Sequence, residues 1–179
     1  MDLNYHGTDS TTGRRLLSLN IEKPSELVPP LNLGSERFVC LLAWDAVNVD
    51  ANEIGAFIGA LLDHGAVYFC CWGQGCERTH DIVDEVVQLK GIEKGTDSVI
   101  MTTWHDDEEL SDALEISLLS AEPDDDFAVG CNAVLAISIG SVNWAAQTEL
   151  YLAKYLLKNA RRPSRTASPP LGLIVRGQC

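Results

Sequence analysis

The sequence predicts an α/β fold built on a mostly parallel sheet, and three observations point to it. Short continuous apolar runs of strand length alternate with longer stretches of helical spacing from Phe38 onward. The runs are rich in Val, Ile, Leu, Cys and Ala without polar alternation, the pattern of strands buried on both faces. Each helical stretch is bounded by turn residues, so strand, helix and strand follow one another as crossover units. Right-handed crossovers then imply a three-layer α/β/α sandwich of Rossmann-like or flavodoxin-like kind.

The elements follow in order. Residues 1–36 mix Gly, Ser, Thr and Asn with three prolines around one short apolar patch, Leu16, Leu17, Leu19 and Ile21, and read as an irregular arm with at most one edge strand. Phe38 to Trp44 is the first strand of the α/β domain, which spans residues 37–159. Asp50 to His64 carries Ile54, Phe57, Ile58, Leu61 and Leu62 at helical spacing, opened by a capping-box-like Asp50 and Glu53 and stopped by Gly65. Ala66 to Trp72 is a strand, Cys76 to Lys90 a helix ending at Gly91, and Ser98 to Trp104 a strand. Asp107 to Ala121 is a helix, Ala133 to Ile139 a strand, and Asn143 to Asn159 a helix. Residues 160–179 form a basic tail in which Leu171 to Val175 can add one more strand.

Charge narrows the functions. Thirteen Lys and Arg against 26 Asp and Glu give a net charge of −13, which disfavours nonspecific binding to nucleic acid or anionic lipid. Between Gly95 and Ala153 there are 12 acids and no Lys or Arg, whereas Lys154 to Cys179 carries six bases and no acid. Such blocks form solvated faces, or an acidic face that receives the tail or a basic partner. No apolar run reaches the roughly 18 to 20 residues of a membrane span, and Met1 to His6 lacks a basic-then-apolar leader, so a cytoplasmic protein is expected. The six cysteines include no C-x-x-C pair, which argues against a structural zinc site or a disulfide scaffold.

Ligands of a parallel sheet bind beyond the carboxyl ends of its strands. The expected strands end in Trp44 and Asp45, in Trp72, in Trp104 and His105, and in Ser138 to Ser141 followed by Asn143 and Trp144. All four tryptophans of the chain therefore fall at one edge of the sheet. They either close the end of the core or wall a pocket for a base, a cation or a peptide side chain. Trp44, Asp45, Trp72, Trp104, Ser141, Asn143 and Trp144 are the candidate binding residues.

Cys76 and His80 are four apart at the start of a helix, hence neighbours, and macrodipole and imidazole could together favour a thiolate. His80 or His105 would be the base of such a nucleophile, although Glu77, Asp81 and Asp106 oppose the thiolate. A half-buried Cys and an exposed His are the plainer reading. The same side chains with a carboxylate make a permissible zinc set, but at no compact zinc spacing, and no metal is assigned. Ser138 to Ser141 resembles an anion-binding turn, yet no basic residue stands near it in sequence. There is no G-x-G-x-x-G, no P-loop and no G-x-S-x-G, and no cofactor is assigned.

Tyr68 to Glu85, containing Cys70-Cys71-Trp72-Gly73-Gln74-Gly75-Cys76, together with Thr102 to Asp107, resembles bacterial proteins of an uncharacterised domain family of unknown function. The resemblance covers residues 37–158 and implies a small bacterial cytosolic domain, with no activity, cofactor or partner attached. The leading expectation is therefore a non-enzymatic binding or accessory domain that uses its Trp-lined strand edge and acidic face to engage a small ligand or a basic protein. The alternatives are a Cys76-dependent hydrolase or transferase and a nucleotide-signal sensor.

Overall fold

Strands and helices alternate along most of the chain in the computed structural model, which describes residues 2–27, 30–94 and 99–160. The strands are β1 (Asp2–Thr8), β2 (Arg15–Ile21), β3 (Arg37–Trp44), β4 (Ala66–Trp72), β5 (Met101–His105) and β6 (Cys131–Ile139). The helices are α1 (Ala51–Asp63), α2 (Cys76–Lys94), α3 (Leu110–Leu119), the four-residue α4 (Asp125–Ala128) and α5 (Val142–Ala160). One sheet contains all six described strands in the order β1-β2-β6-β3-β4-β5. Every neighbouring pair is parallel except the antiparallel edge pair β1 and β2. The chain is thus a mixed α/β domain on a mostly parallel sheet.

The core explains why the central strands read as unbroken apolar runs. Successive strand residues point to opposite faces. From β3, Phe38, Cys40, Leu42 and Trp44 pack with Ile54, Phe57, Ile58 and Leu61 of α1 and Val83 of α2. Val39, Leu41 and Ala43 pack on the other face with Leu110, Ala113, Leu114 and Leu118 of α3 and with Leu152 and Tyr155 of α5. Each such Leu, Ile, Val or Phe contributes about 1.5–3 kcal/mol on burial.

The N-terminal stretch corrects the sequence reading. Residues 1–36, expected as an irregular arm, supply β1 and β2, and β2 lies beside β6 with Leu16, Leu17, Leu19 and Ile21 buried. Ser18 and Asn20 interrupt its apolar pattern; the Ser18 hydroxyl is satisfied inside by His6 Nε2 at 2.8 Å. The β1–β2 turn is pinned to α5 through Asp9, which is 1% exposed. Its carboxylate accepts hydrogen bonds from the Thr11 and Thr12 amides, the Thr12 and Tyr155 hydroxyls and Asn159 Nδ2.

Other boundaries differ for local reasons. Helix α2 continues through Gly91 to Lys94, past the expected stop. Helix α3 begins at Leu110, because the residues before it form a turn in which His105 Nδ1 and Glu108 Oε2 lie 2.8 Å apart. Asp50 caps α1 by accepting from the Asn52 amide at 2.8 Å. The C-terminal tail with its expected strand Leu171 to Val175 lies outside the described residues.

The connections place the site. From β3 the chain steps through α1 to β4 and through α2 to β5, towards one edge; β6 then returns between β2 and β3, and α5 packs over β2 and β1, towards the other. The chain therefore leaves the carboxyl ends of β3 and β6 in opposite directions and opens a crevice between them.

Candidate functional site

A cavity of about 490 Å³ occupies that crevice. Glu22 and Lys23 enter it from the end of β2, Trp44 and Asp45 from the end of β3, Glu53 from the first turn of α1, and Gly140, Ser141 and Trp144 from the end of β6 and the start of α5. The Gly140 amide donates to the Ile21 carbonyl at 2.9 Å and ties the ends of β6 and β2 together. Ser141 caps α5, its hydroxyl accepting from the Trp144 amide at 3.3 Å.

The wall made by the β3–α1 loop is held from α2. Arg78 donates to the Ala46 and Val49 carbonyls, both at 3.0 Å. The Ala46 amide donates to Gln74 O at 3.0 Å, which brings the Gly73-Gln74-Gly75 turn against this loop. Gly73 has a φ of +108°, and a Cβ there would stand 2.5 Å from Trp44 O, so both conformation and space require glycine.

The four tryptophans gather at the expected edge but do not share one wall. Trp44 is 5% exposed and meets Phe57 edge to face, on the α1 face of the sheet. Trp72 and Trp144 pack on the opposite face, and the Trp72 indole donates to Glu108 O at 2.8 Å. Trp104 pairs in register with Cys71, on the α1 and α2 face, and rests against the His80 ring at 4.6 Å. Strand alternation divides the rings. The cavity brings together Trp44, Asp45, Ser141 and Trp144 of the candidate residues; Trp72, Trp104 and the exposed Asn143 are not among its lining.

Glu22, Lys23, Pro24, Val49 and Glu53 line the cavity but are not among the sequence candidates. Glu22 and Lys23 follow the Leu16 to Ile21 patch, which the sequence allows only as an edge strand of an irregular arm, whereas β2 lies inside the sheet beside β6. In the sequence, Glu53 stands out only as part of the capping-box-like start of α1. Lys23 also brings a cation to the cavity that Gly140 and Ser141 line, together with Glu22, Asp45 and Glu53.

Cys76 opens α2 but is 2% exposed. Burial pushes its thiol up; amide donors from His105 and Glu77 offset this only in part, and Asp106 adds to the rise. The imidazoles are engaged elsewhere. His80 Nδ1 lies 3.3 Å from Asp81 Oδ1 and its Nε2 3.7 Å from Asp84 Oδ2. His105, itself buried, contacts Glu108 Oε2 at 2.8 Å and Thr103 Oγ1 at 3.1 Å. Burial and the nearby Asp106 carboxylate disfavour the thiolate that a Cys76 nucleophile requires. Among the described residues no group of three or more His, Cys, Asp or Glu side chains is arranged to hold a metal ion. No described helix is long and apolar enough to cross a membrane.

A family model described as a domain of unknown function, DUF7684, matches residues 18–155, from the middle of β2 to the last turns of α5. No curated protein matches the chain.

Proposed function

We propose, for a chain that belongs to the family of domains of unknown function DUF7684, a non-catalytic binding role centred on the cavity at the ends of β2, β3 and β6. The observation that carries the reading is the coincidence of that cavity with the point where the connections diverge. Open α/β sheets take their ligands at this point. In this reading the fold is a three-layer α/β/α sandwich, Rossmann-like or flavodoxin-like in plan, with the last strand inserted beside the first of the parallel set.

Charge sets the ligand class. Glu22, Asp45 and Glu53 line the cavity with the single Lys23, and Trp44 and Trp144 line it too. Carboxylates together with an aromatic ring suit an ammonium or guanidinium group. The ligand is therefore a compact organic cation or a basic side chain of a protein partner. Lys23 beside the capped start of α5 is the one feature that favours the nucleotide-sensor alternative.

Native mass spectrometry of the freshly purified full-length protein tests the reading. The expected result is a retained small cation, or a basic protein, that is lost from the Asp45→Asn, Glu53→Gln double variant. A retained phosphate compound would replace it with the sensor reading, and a covalent adduct on Cys76 with the enzyme.

A further inference from the structure

Helix α5 has two faces of different use. Ala145, Thr148, Leu152, Tyr155 and Asn159 are buried against the rest of the domain. On the opposite side Ala146, Leu150, Ala153, Leu157 and Ala160 are all exposed. Their spacing alternates four and three, the a and d repeat of a coiled-coil seam, with leucine at a and alanine at d. Leu150 and Leu157 are 56% and 63% exposed, and Val142 at the head of the helix is 76% exposed. Single exposed leucines are ordinary on a protein surface, whereas a continuous leucine and alanine seam along one helix face has the pattern of a helix-pairing surface.

The flanking charges decide what docks there. Glu149 takes a g position and Lys154 the following e position, on either side of the seam. In a parallel pair of helices a g residue faces the e residue five positions on in its partner, so Glu149 meets Lys154 of the partner subunit, twice by symmetry. In an antiparallel pair g faces g and e faces e, so Glu149 faces Val142, Glu149 or Leu156 of the partner subunit and meets no lysine. Lys154 has no ion pair among the described residues. Glu149 Oε1 accepts from Asn4 Nδ2 at 3.0 Å, and its charge also acts on His6 of β1.

We infer that α5 is a homodimer interface, two copies of this chain packing their Leu150 and Leu157 seams in parallel about a two-fold axis along the helix. The alanines at d let the two helices approach closely, and the exposed Leu119 at the end of α3 extends the apolar rim on the Lys154 side.

Sedimentation equilibrium of the full-length chain over a range of concentrations tests the inference. The wild type should show a monomer–dimer equilibrium, and Leu150→Glu should be monomeric with unchanged circular dichroism and melting midpoint. Glu149→Lys should raise the dimer dissociation constant about tenfold, as two attractive pairs become repulsive. The double variant Glu149→Lys, Lys154→Glu should restore it. These two exposed positions keep the test decisive if Leu150→Glu fails to fold. The inference is overturned by a wild type that stays monomeric at its highest soluble concentration. Equally contrary are a dimer that survives Leu150→Glu and a charge-swapped double variant weaker than either single change.

Discussion

The Trp72 and Trp144 rings meet edge to face, with centroids 5.3 Å apart and planes at 83°, although one closes β4 and the other opens α5. The contact spans the end of β3 and braces the helix whose cap forms one side of the cavity. Edge-to-face pairs add about 0.5–1.5 kcal/mol beyond their buried area. A double-mutant cycle of Trp72→Ala and Trp144→Ala, followed by chemical denaturation, should return a coupling in that range. Strict additivity would mean that the rings only fill space.

Binding should depend on the cavity and not on the wider aromatic edge. Asp45→Asn or Glu53→Gln should weaken a cationic ligand about tenfold, the size of one charge-assisted hydrogen bond. Trp104→Ala and Cys76→Ser should leave affinity unchanged, because neither residue lines the cavity. Isothermal titration of each variant with the ligand retained by the native protein separates these outcomes.

Asp9 gives the stability a defined pH dependence. Burial alone would raise its carboxyl, but donors from Thr11, Thr12 and Tyr155 outweigh that and hold it below its usual value. A depressed carboxylate contributes stability that is fully present above its unfolded value of about 4 and is lost as pH falls through the folded value. Asp9→Asn should therefore cost about 1–3 kcal/mol at neutral pH, with the gap to wild type closing below about pH 4. Urea midpoints measured across that range check both sign and window.

Glycine positions separate space from propensity. Gly73→Ala forces a methyl group against Trp44 O in a left-handed backbone and should destabilise by about 2 kcal/mol or more. Gly91→Ala, inside α2 with nothing near its Cβ, should stabilise by up to about 1 kcal/mol. Thermal melts of the two variants should move in opposite directions.

The thiols should be silent in the folded chain. Cys40, Cys70, Cys71, Cys76 and Cys131 are free and buried, and burial pushes the Cys70 thiol up to about 12. A maleimide at neutral pH should label none of these five until denaturant is added. Rapid native labelling of Cys76 would revive the nucleophile reading.

The sequence exposed the middle of the sheet and obscured its edge. β3, β4 and β6 are buried on both faces, so their composition alone marks them. β2 is also buried, but Ser18 and Asn20 break its pattern, and its parallel neighbour β6 lies over a hundred residues away in sequence. The site was divided in the same way. Strand ends located Trp44, Asp45, Ser141 and Trp144, whereas the register that turns Trp72 and Trp104 to opposite faces is a property of pairing. Glu22 and Lys23 became visible only once β2 had a place.

In the proposed role the crevice between β3 and β6 receives a cation. Amide NMR of the full-length protein, titrated in turn with arginine amide and with adenosine triphosphate, tests it directly. Arginine amide should shift the signals of Asp45, Val49, Glu53, Gly140 and Ser141, and adenosine triphosphate should leave them in place. Shifts produced by adenosine triphosphate at Gly140 and Ser141, or by arginine amide only around His80, His105 and Asp106, would contradict it.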